Sequence, residues 1–198
     1  MRAIFFDLDG TLLRLTCDYG DVLRSAVAAI EGDLPEEAID GYGGAFYARF
    51  DACEPDPVRG AFAEIGLRSD PGEFADALLA HEVELSRPPR GTDATLARLS
   101  AEYELGVLTN GVREWQEHKL RAHGLFGYFD AFVASYEAGA HKPDAAPFRL
   151  AEERLPADEY AMVGDADADV EGARNAGWTA HRYDGGGFGD LPDALGWG

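Results

Sequence analysis

Lysine is almost missing from this chain. Of the 17 Lys and Arg residues only Lys119 and Lys142 are lysine, and the rest are arginine. Cysteine is as scarce. Cys17 and Cys53 form neither a disulfide framework nor a metal-ligand spacing, so reduced thiols in a cytoplasm are expected. No run approaches the roughly 18 consecutive apolar residues that a membrane helix needs. The N-terminus enters a strand directly, with no secretion signal ahead of it. Positive charge is short overall: 17 Lys and Arg stand against 37 Asp and Glu, a formal net charge of −20. Nucleic acid and anionic membrane both require a basic surface, so neither is expected as a partner. The acids are spread along the chain and do not form one tail. An acidic, lysine-poor surface reads as adaptation to high salt, where the self-repulsion is screened.

What is present is enough to build a core. The chain is 46% hydrophobic, and its length suits one domain, or a core domain with a small insertion. Residues 3–8 read as a buried strand. Residues 15–88 hold four helical patterns and no convincing strand. The first carries Val22, Leu23, Ala26, Val27 and Ile30. The second, about 36–51, is weakened by Gly41, Gly43 and Gly44. The third has Pro57 in its first turn, and the fourth runs to Pro88-Pro89. From residue 92, helix and strand alternate. Strands are expected at 105–108, 131–134, 160–163 and 178–182, with helices between them. The glycine-rich tail from Gly185 reads as loosely packed. Strand–helix alternation implies an α/β fold: a Rossmann-like parallel sheet in three α/β/α layers. The core then comprises residues 1–14 and 89–198, and 15–88 is an inserted α-helical cap.

Three strands end in polar residues: Asp7/Asp9, Thr109/Asn110 and Asp165/Asp169. Lys142 follows the strand at 131–134. In a parallel sheet all carboxyl ends share one edge, so groups far apart in sequence can converge on one crevice. Blander readings exist for each. Asp9-Gly10 is an ordinary turn pair, and Lys142 is most simply a solvated lysine. Asn110-Gly111 is a hairpin dipeptide, but a helical pattern follows it. The Asp165–Asp169 alternation does not fit a calcium loop, because Val170 and Ala176 stand where that loop needs Gly and Glu.

Taken together, the residues resemble the haloacid dehalogenase-like hydrolase superfamily, in the branch with a helical cap after the first strand. Asp7-Leu8-Asp9-Gly10-Thr11 looks like its first motif, Thr109-Asn110 its second, Lys142 its third, and Gly164-Asp165 with Asp169 its fourth. Gly111, Gln116, Lys119-Leu120, Ser135, Glu137 and Lys142-Pro143 extend the resemblance. The last motif departs from its commonest form. Three residues separate Asp165 from Asp169, where four are usual, and Ala166 stands where Ser or Thr is usual. This reads as a one-residue deletion, and it leaves the division of roles among Asp165, Asp167 and Asp169 open.

The resemblance implies a Mg²⁺-dependent phosphomonoester hydrolase acting on a small phosphorylated metabolite through an aspartyl-phosphate. Asp7 would be the nucleophile, Asp9 the proton carrier, and Lys142 the charge-neutralising residue. Gly10, Thr109 and Asn110 would bind the phosphoryl group. Asp7, Asp9, Asp165 and Asp169 would hold the metal. Dehalogenases of the superfamily carry Tyr where Asp9 stands, which favours a phosphate substrate here. A β-phosphoglucomutase-like phosphomutase is the alternative within the superfamily. A receiver-type signalling domain or a non-catalytic scaffold is the alternative outside it. The cap would set specificity, with Arg14, Tyr19, Tyr42 and Tyr47 as candidate contacts.

Overall fold

The computed structural model describes residues 1–33 and 35–198. Its first strand, β1 (Arg2–Phe6), is apolar on both faces and becomes the middle strand of a parallel five-stranded sheet. Two-residue strands β2 (Arg14–Leu15) and β3 (Ser86–Arg87) pair with each other where the chain leaves and re-enters the sheet-bearing unit. They are too short to leave a periodic signal, which is why no strand is read there from sequence. Between them run α1 (Tyr19–Ala28), α2 (Glu36–Asp51), α3 (Pro57–Glu64) and α4 (Pro71–Leu85). After β3 come α5 (Thr92–Leu99), β4 (Glu104–Thr109), α6 (Arg113–Ala122), β5 (Ala131–Ala134), α7 (Ser135–Ala138), α8 (Ala145–Arg154), β6 (Glu159–Gly164), α9 (Asp167–Asn175) and β7 (Thr179–Arg182).

The strand order is β5-β4-β1-β6-β7. Phe6 is in register with Val107 of β4 and Val163 of β6, so Asp7, Thr109 and Asp165 all follow at the same sheet edge. Alternate residues of each strand feed two cores, as the pleat requires. Ile4, Phe6, Leu105, Val107, Ala161 and Val163 pack with Leu96, Leu99 and Leu120 on one face. Ala3, Phe5, Leu108 and Met162 pack with Phe148, Ala151, Ala173 and Trp178 on the other. The result is the three-layer α/β/α arrangement. Gly106 is needed inside β4 because a Cβ there would sit 2.2 Å from the Phe5 ring.

The tail differs from the sequence expectation. Phe188, Leu191, Leu195 and Trp197 are buried in the first core. Trp197 stacks on Tyr103 at 5.9 Å, and the Arg2 guanidinium lies 5.2 Å from its ring centre. Each of these large side chains contributes about 1.5–3 kcal/mol by leaving water. Four apolar anchors are enough to fix a stretch whose glycine content looks loose.

By compactness the chain divides into two units, Met1–Arg14 with Arg87–Gly198, and Leu15–Ser86. In the second unit α2 packs on α3, α1 on α4 and α3 on α4. Its core contains Val22, Leu23, Tyr42, Phe62, Phe74 and Leu78. Helix α2 stays continuous through its glycines. Tyr42, Phe46 and Phe50 lie along it with ring centres 6.1 and 5.2 Å apart, and Tyr42 meets Phe62 at 4.6 Å. This packing offsets the roughly 1 kcal/mol that each helical glycine costs. Among the described residues, no helix is long and apolar enough to cross a membrane.

Candidate active site

Asp7 stands one residue beyond β1, and its N–H donates to Val163 O on β6 at 2.9 Å. Its carboxylate is buried. Lys142, delivered by the loop before α8, donates all three of its ammonium hydrogens inward: to Asp7 Oδ1 at 2.7 Å, Asp169 Oδ1 at 2.6 Å and Leu108 O at 2.7 Å. An ammonium has three donors, so this geometry is saturated. The loop that carries Lys142 is itself tied to the end of β4. Lys142 N donates to Asn110 Oδ1 at 2.9 Å, and Asn110 Nδ2 donates to Lys142 O at 3.2 Å.

Asp169 is the third residue of α9. Its Oδ2 accepts the Ala166 N–H at 3.0 Å, half of a capping box. Ala166 has no side-chain oxygen to complete the other half. Asp165 comes straight off β6 and is exposed. Its Oδ1 accepts from Thr11 Oγ1 at 2.8 Å, and its own N–H donates back to Thr11 Oγ1 at 3.1 Å. This reciprocal pair locks the β6 loop to the β1 loop. Gly10 makes room for it: φ there is +89°, and a Cβ would sit 2.4 Å from Asp165 Oδ2. The Gly10 N–H donates to Leu13 O at 2.8 Å. Asp167 points elsewhere and pairs with Arg182, whose guanidinium also donates to Asp165 O.

Carboxylate oxygens of Asp7, Asp165 and Asp169 lie within 4.8 Å of one another. Three carboxylates face one ammonium. Burial pushes the Asp7 carboxyl up to about 7; Lys142 opposes the rise, and Asp169 and Asp9 add to it. Burial acts to lower the Lys142 pKa, but the charges of Asp7 and Asp169 outweigh it and hold it above the ordinary lysine value. The Lys142 direction marks a site rich in negative charge. An all-oxygen donor set of three carboxylates facing a single ammonium fits a hard divalent cation such as Mg²⁺.

Asp9 lies on a separate network. Its half-exposed carboxylate accepts from Lys119 Nζ at 2.6 and 2.8 Å and from Gln116 Nε2 at 2.7 Å. Gln116 Nε2 also reaches Thr109 Oγ1 at 3.1 Å and Asn110 O at 3.0 Å. Thr109 is buried at the end of β4. Gly111 N donates to Ser135 Oγ at 2.9 Å, and Ser135 Oγ lies 2.7 Å from His141 Nδ1. These contacts brace the loops carrying Asn110 and Lys142 against each other.

Thus Asp7, Lys142, Asp165 and Asp169 meet at one point, with Thr11 as a partner that the sequence reading passed over. Asp9, Thr109 and Asn110 join through Gln116 and Lys119, which extend the family resemblance without an expected role of their own. The scarcity of lysine was the available signal for Lys119. Of the candidate substrate contacts, Arg14 belongs to the sheet-bearing unit and Tyr19, Tyr42 and Tyr47 to the helical unit. Arg14 lies against the Gly185 turn. Tyr19 donates to Glu82 at 2.9 Å. Tyr42 is buried and Tyr47 exposed in the helical unit.

Comparison with known proteins places the chain in a family. A family model described as haloacid dehalogenase-like hydrolase matches residues 1–177. The phosphoglycolate phosphatase of Aquifex aeolicus is 29% identical over 182 residues, covering 89% of this chain and 82% of that protein. A glyceraldehyde 3-phosphate phosphatase from Methanothermobacter thermautotrophicus is 31% identical over 194 residues, covering 91% and 84%. The crystal structure of a HAD phosphatase from Thermococcus onnurineus matches with a TM-score of 0.71 at 28% identity, over 93% of this chain and 86% of that one. Fold, strand-end residues and relatives agree, and the chain belongs to the haloacid dehalogenase-like hydrolase family.

Proposed function

We propose that this protein is a phosphatase that hydrolyses a small phosphorylated metabolite through an aspartyl-phosphate on Asp7. The observation that carries the reading is the buried Asp7 carboxylate held by Lys142 beside Asp165 and Asp169, at the sheet edge where Thr109 also ends. Phosphoryl transfer needs positioning and charge stabilisation more than covalent assistance, and this edge supplies both.

Asp7, Asp165 and Asp169, with the Asp9 backbone carbonyl, are the residues that would hold Mg²⁺. When bound, the ion supplies charge neutralisation between the carboxylates and a phosphate dianion. A free oxygen of Asp7 attacks phosphorus while the bond to the ester oxygen breaks, and that oxygen takes a proton from Asp9. A water then attacks the phosphorus of the aspartyl-phosphate. Its proton passes to Asp9, the Asp7–phosphorus bond breaks, and inorganic phosphate leaves. Splitting one displacement into two is the general advantage of covalent catalysis. Thr109 Oγ1 and the Asn110 N–H bind phosphoryl oxygens, and Lys142 neutralises charge on the nucleophile and the phosphate. Gly10 contributes by lacking a side chain, since its N–H is already engaged. Asp9 in place of tyrosine favours phosphate esters over haloacids.

The helical unit serves as a cap that sets specificity, the protein works in a cytoplasm, and its charge of −20 suits high salt. The test is a phosphate-release assay across phosphorylated metabolites, with Mg²⁺ and with EDTA. Release that requires Mg²⁺ is expected. Full activity in EDTA, or no release from any ester, contradicts the reading.

A further inference from the structure

Both lysines of the chain lie in this site, and both are buried. Lys142 serves Asp7; Lys119 Nζ lies 2.6 and 2.8 Å from the two oxygens of Asp9. A protein that otherwise draws on arginine over lysine has its two lysines on the two acids of its first motif. Lys119 and Gln116 are three residues apart on α6, so they share one helix face. Leu120 beside them is fully buried and pins that face to the sheet. Lys119 is 5% exposed and Gln116 3%. Burying an ammonium is costly unless a carboxylate receives it, and here the receiving carboxylate is the half-exposed one of Asp9. Rigid donors from the helix thus hold a side chain that open solvent would leave free to rotate.

Gln116 adds a second link. The same Nε2 that meets Asp9 at 2.7 Å reaches Thr109 Oγ1 and Asn110 O. The proton carrier and the phosphoryl-binding loop therefore share one amide. We propose that Lys119 and Gln116 are positioning residues: they clamp the Asp9 carboxylate and fix its place relative to the Thr109–Asn110 loop. This inference rests on the phosphatase reading above for its kinetic consequence and on the contacts alone for the clamp itself.

The consequence is specific. Asp9 gives its proton to the departing ester oxygen, so its placement matters most when that oxygen is a poor leaving group. Lys119→Met is expected to lower kcat about 10²-fold for an alkyl phosphate, the order lost when a proton donor is misplaced. With 4-nitrophenyl phosphate, whose phenolate leaves without help, the loss should stay below about tenfold. KM should change little for either ester. Lys119→Arg should recover part of the alkyl-phosphate rate, and Gln116→Met should reproduce the leaving-group dependence in milder form. In an Asp9→Asn background, Lys119→Met should cost nothing further. Equal losses on both esters, or a full further loss in that background, would overturn the proposal.

A readout free of activity separates this inference from the phosphatase reading. With ¹⁵N-labelled lysine the protein has two side-chain ammonium groups. Asp9→Asn should strongly shift the resonance that is lost in Lys119→Arg. If that resonance stays in place, the clamp does not exist, whatever the enzyme hydrolyses. If it moves while the wild type releases no phosphate, the clamp stands and the phosphatase reading falls.

Discussion

Asp7 and Asp9 are two residues apart, yet their surroundings differ. Asp7 is buried, and its carboxyl is pushed up by burial against the pull of Lys142. Asp9 is half exposed and gripped by donors from α6. Environment, rather than residue type, separates the two, in keeping with the different roles proposed for them. The same holds for the three acids of the last motif. Asp165 and Asp169 turn toward Asp7, whereas Asp167 turns toward Arg182. The sequence alone left their roles undivided, because aspartates at alternate positions are chemically identical until β6 ends and α9 begins. The strand-end residues themselves were legible as a group, since each directly follows an apolar run. Their helpers were not. Thr11 reads as the tail of a motif, Gln116 and Ser135 as ordinary polar residues, and only their placement 2.7–3.1 Å from functional atoms reveals them.

At the scale of elements, the β5–α7–α8 corner illustrates how short structure is stabilised. Helix α7 has four residues, too few to be stable alone. Glu137 at its third position accepts the Ala134 N–H at 3.0 Å and pairs with Arg113 and Arg154. Both arginines also donate to Phe132 O, at 3.1 and 2.8 Å. Burial alone would raise the Glu137 pKa, but the Arg154 hydrogen bond, the Ala134 N–H and the two guanidinium charges outweigh it and hold it below the ordinary carboxylate value. A carboxylate depressed in the folded state adds stability above its unfolded-state pKa, and that contribution fades as pH falls through the folded-state value. Glu137→Gln is therefore expected to cost about 1 kcal/mol at pH 7, a modest figure because the group keeps some solvent contact. Thermal melts of both proteins should differ at pH 7, and the gap should shrink as pH falls below the ordinary carboxylate range; a gap that does not change with pH would contradict the assignment. The strands and most helices were legible from periodicity. The two-residue strands at the unit boundary were not, and neither was the tail, whose four apolar anchors are spaced among glycines.

For the whole molecule, charge and fold make separate statements. The order β5-β4-β1-β6-β7 places the first strand in the middle, so a motif at residue 7 ends up flanked by contributions from β4 and β6. Topology brings distant residues together, and alternation of helix and strand was enough to foresee it. The net charge of −20 concerns the solvent instead. Self-repulsion is screened within a Debye length that shrinks to roughly 3 Å at molar salt, so the melting temperature is expected to rise from low to molar KCl. A flat profile would remove the high-salt reading and leave the site untouched. The proposed chemistry turns on one bond, between Asp7 and phosphorus. Acid quenching during turnover, reduction with borohydride and peptide mass spectrometry convert an aspartyl-phosphate into homoserine at the position that carried it. Homoserine at position 7, absent from Asp7→Asn protein, is the result expected here. An unmodified Asp7 during active phosphate release, or homoserine at another aspartate, would contradict it.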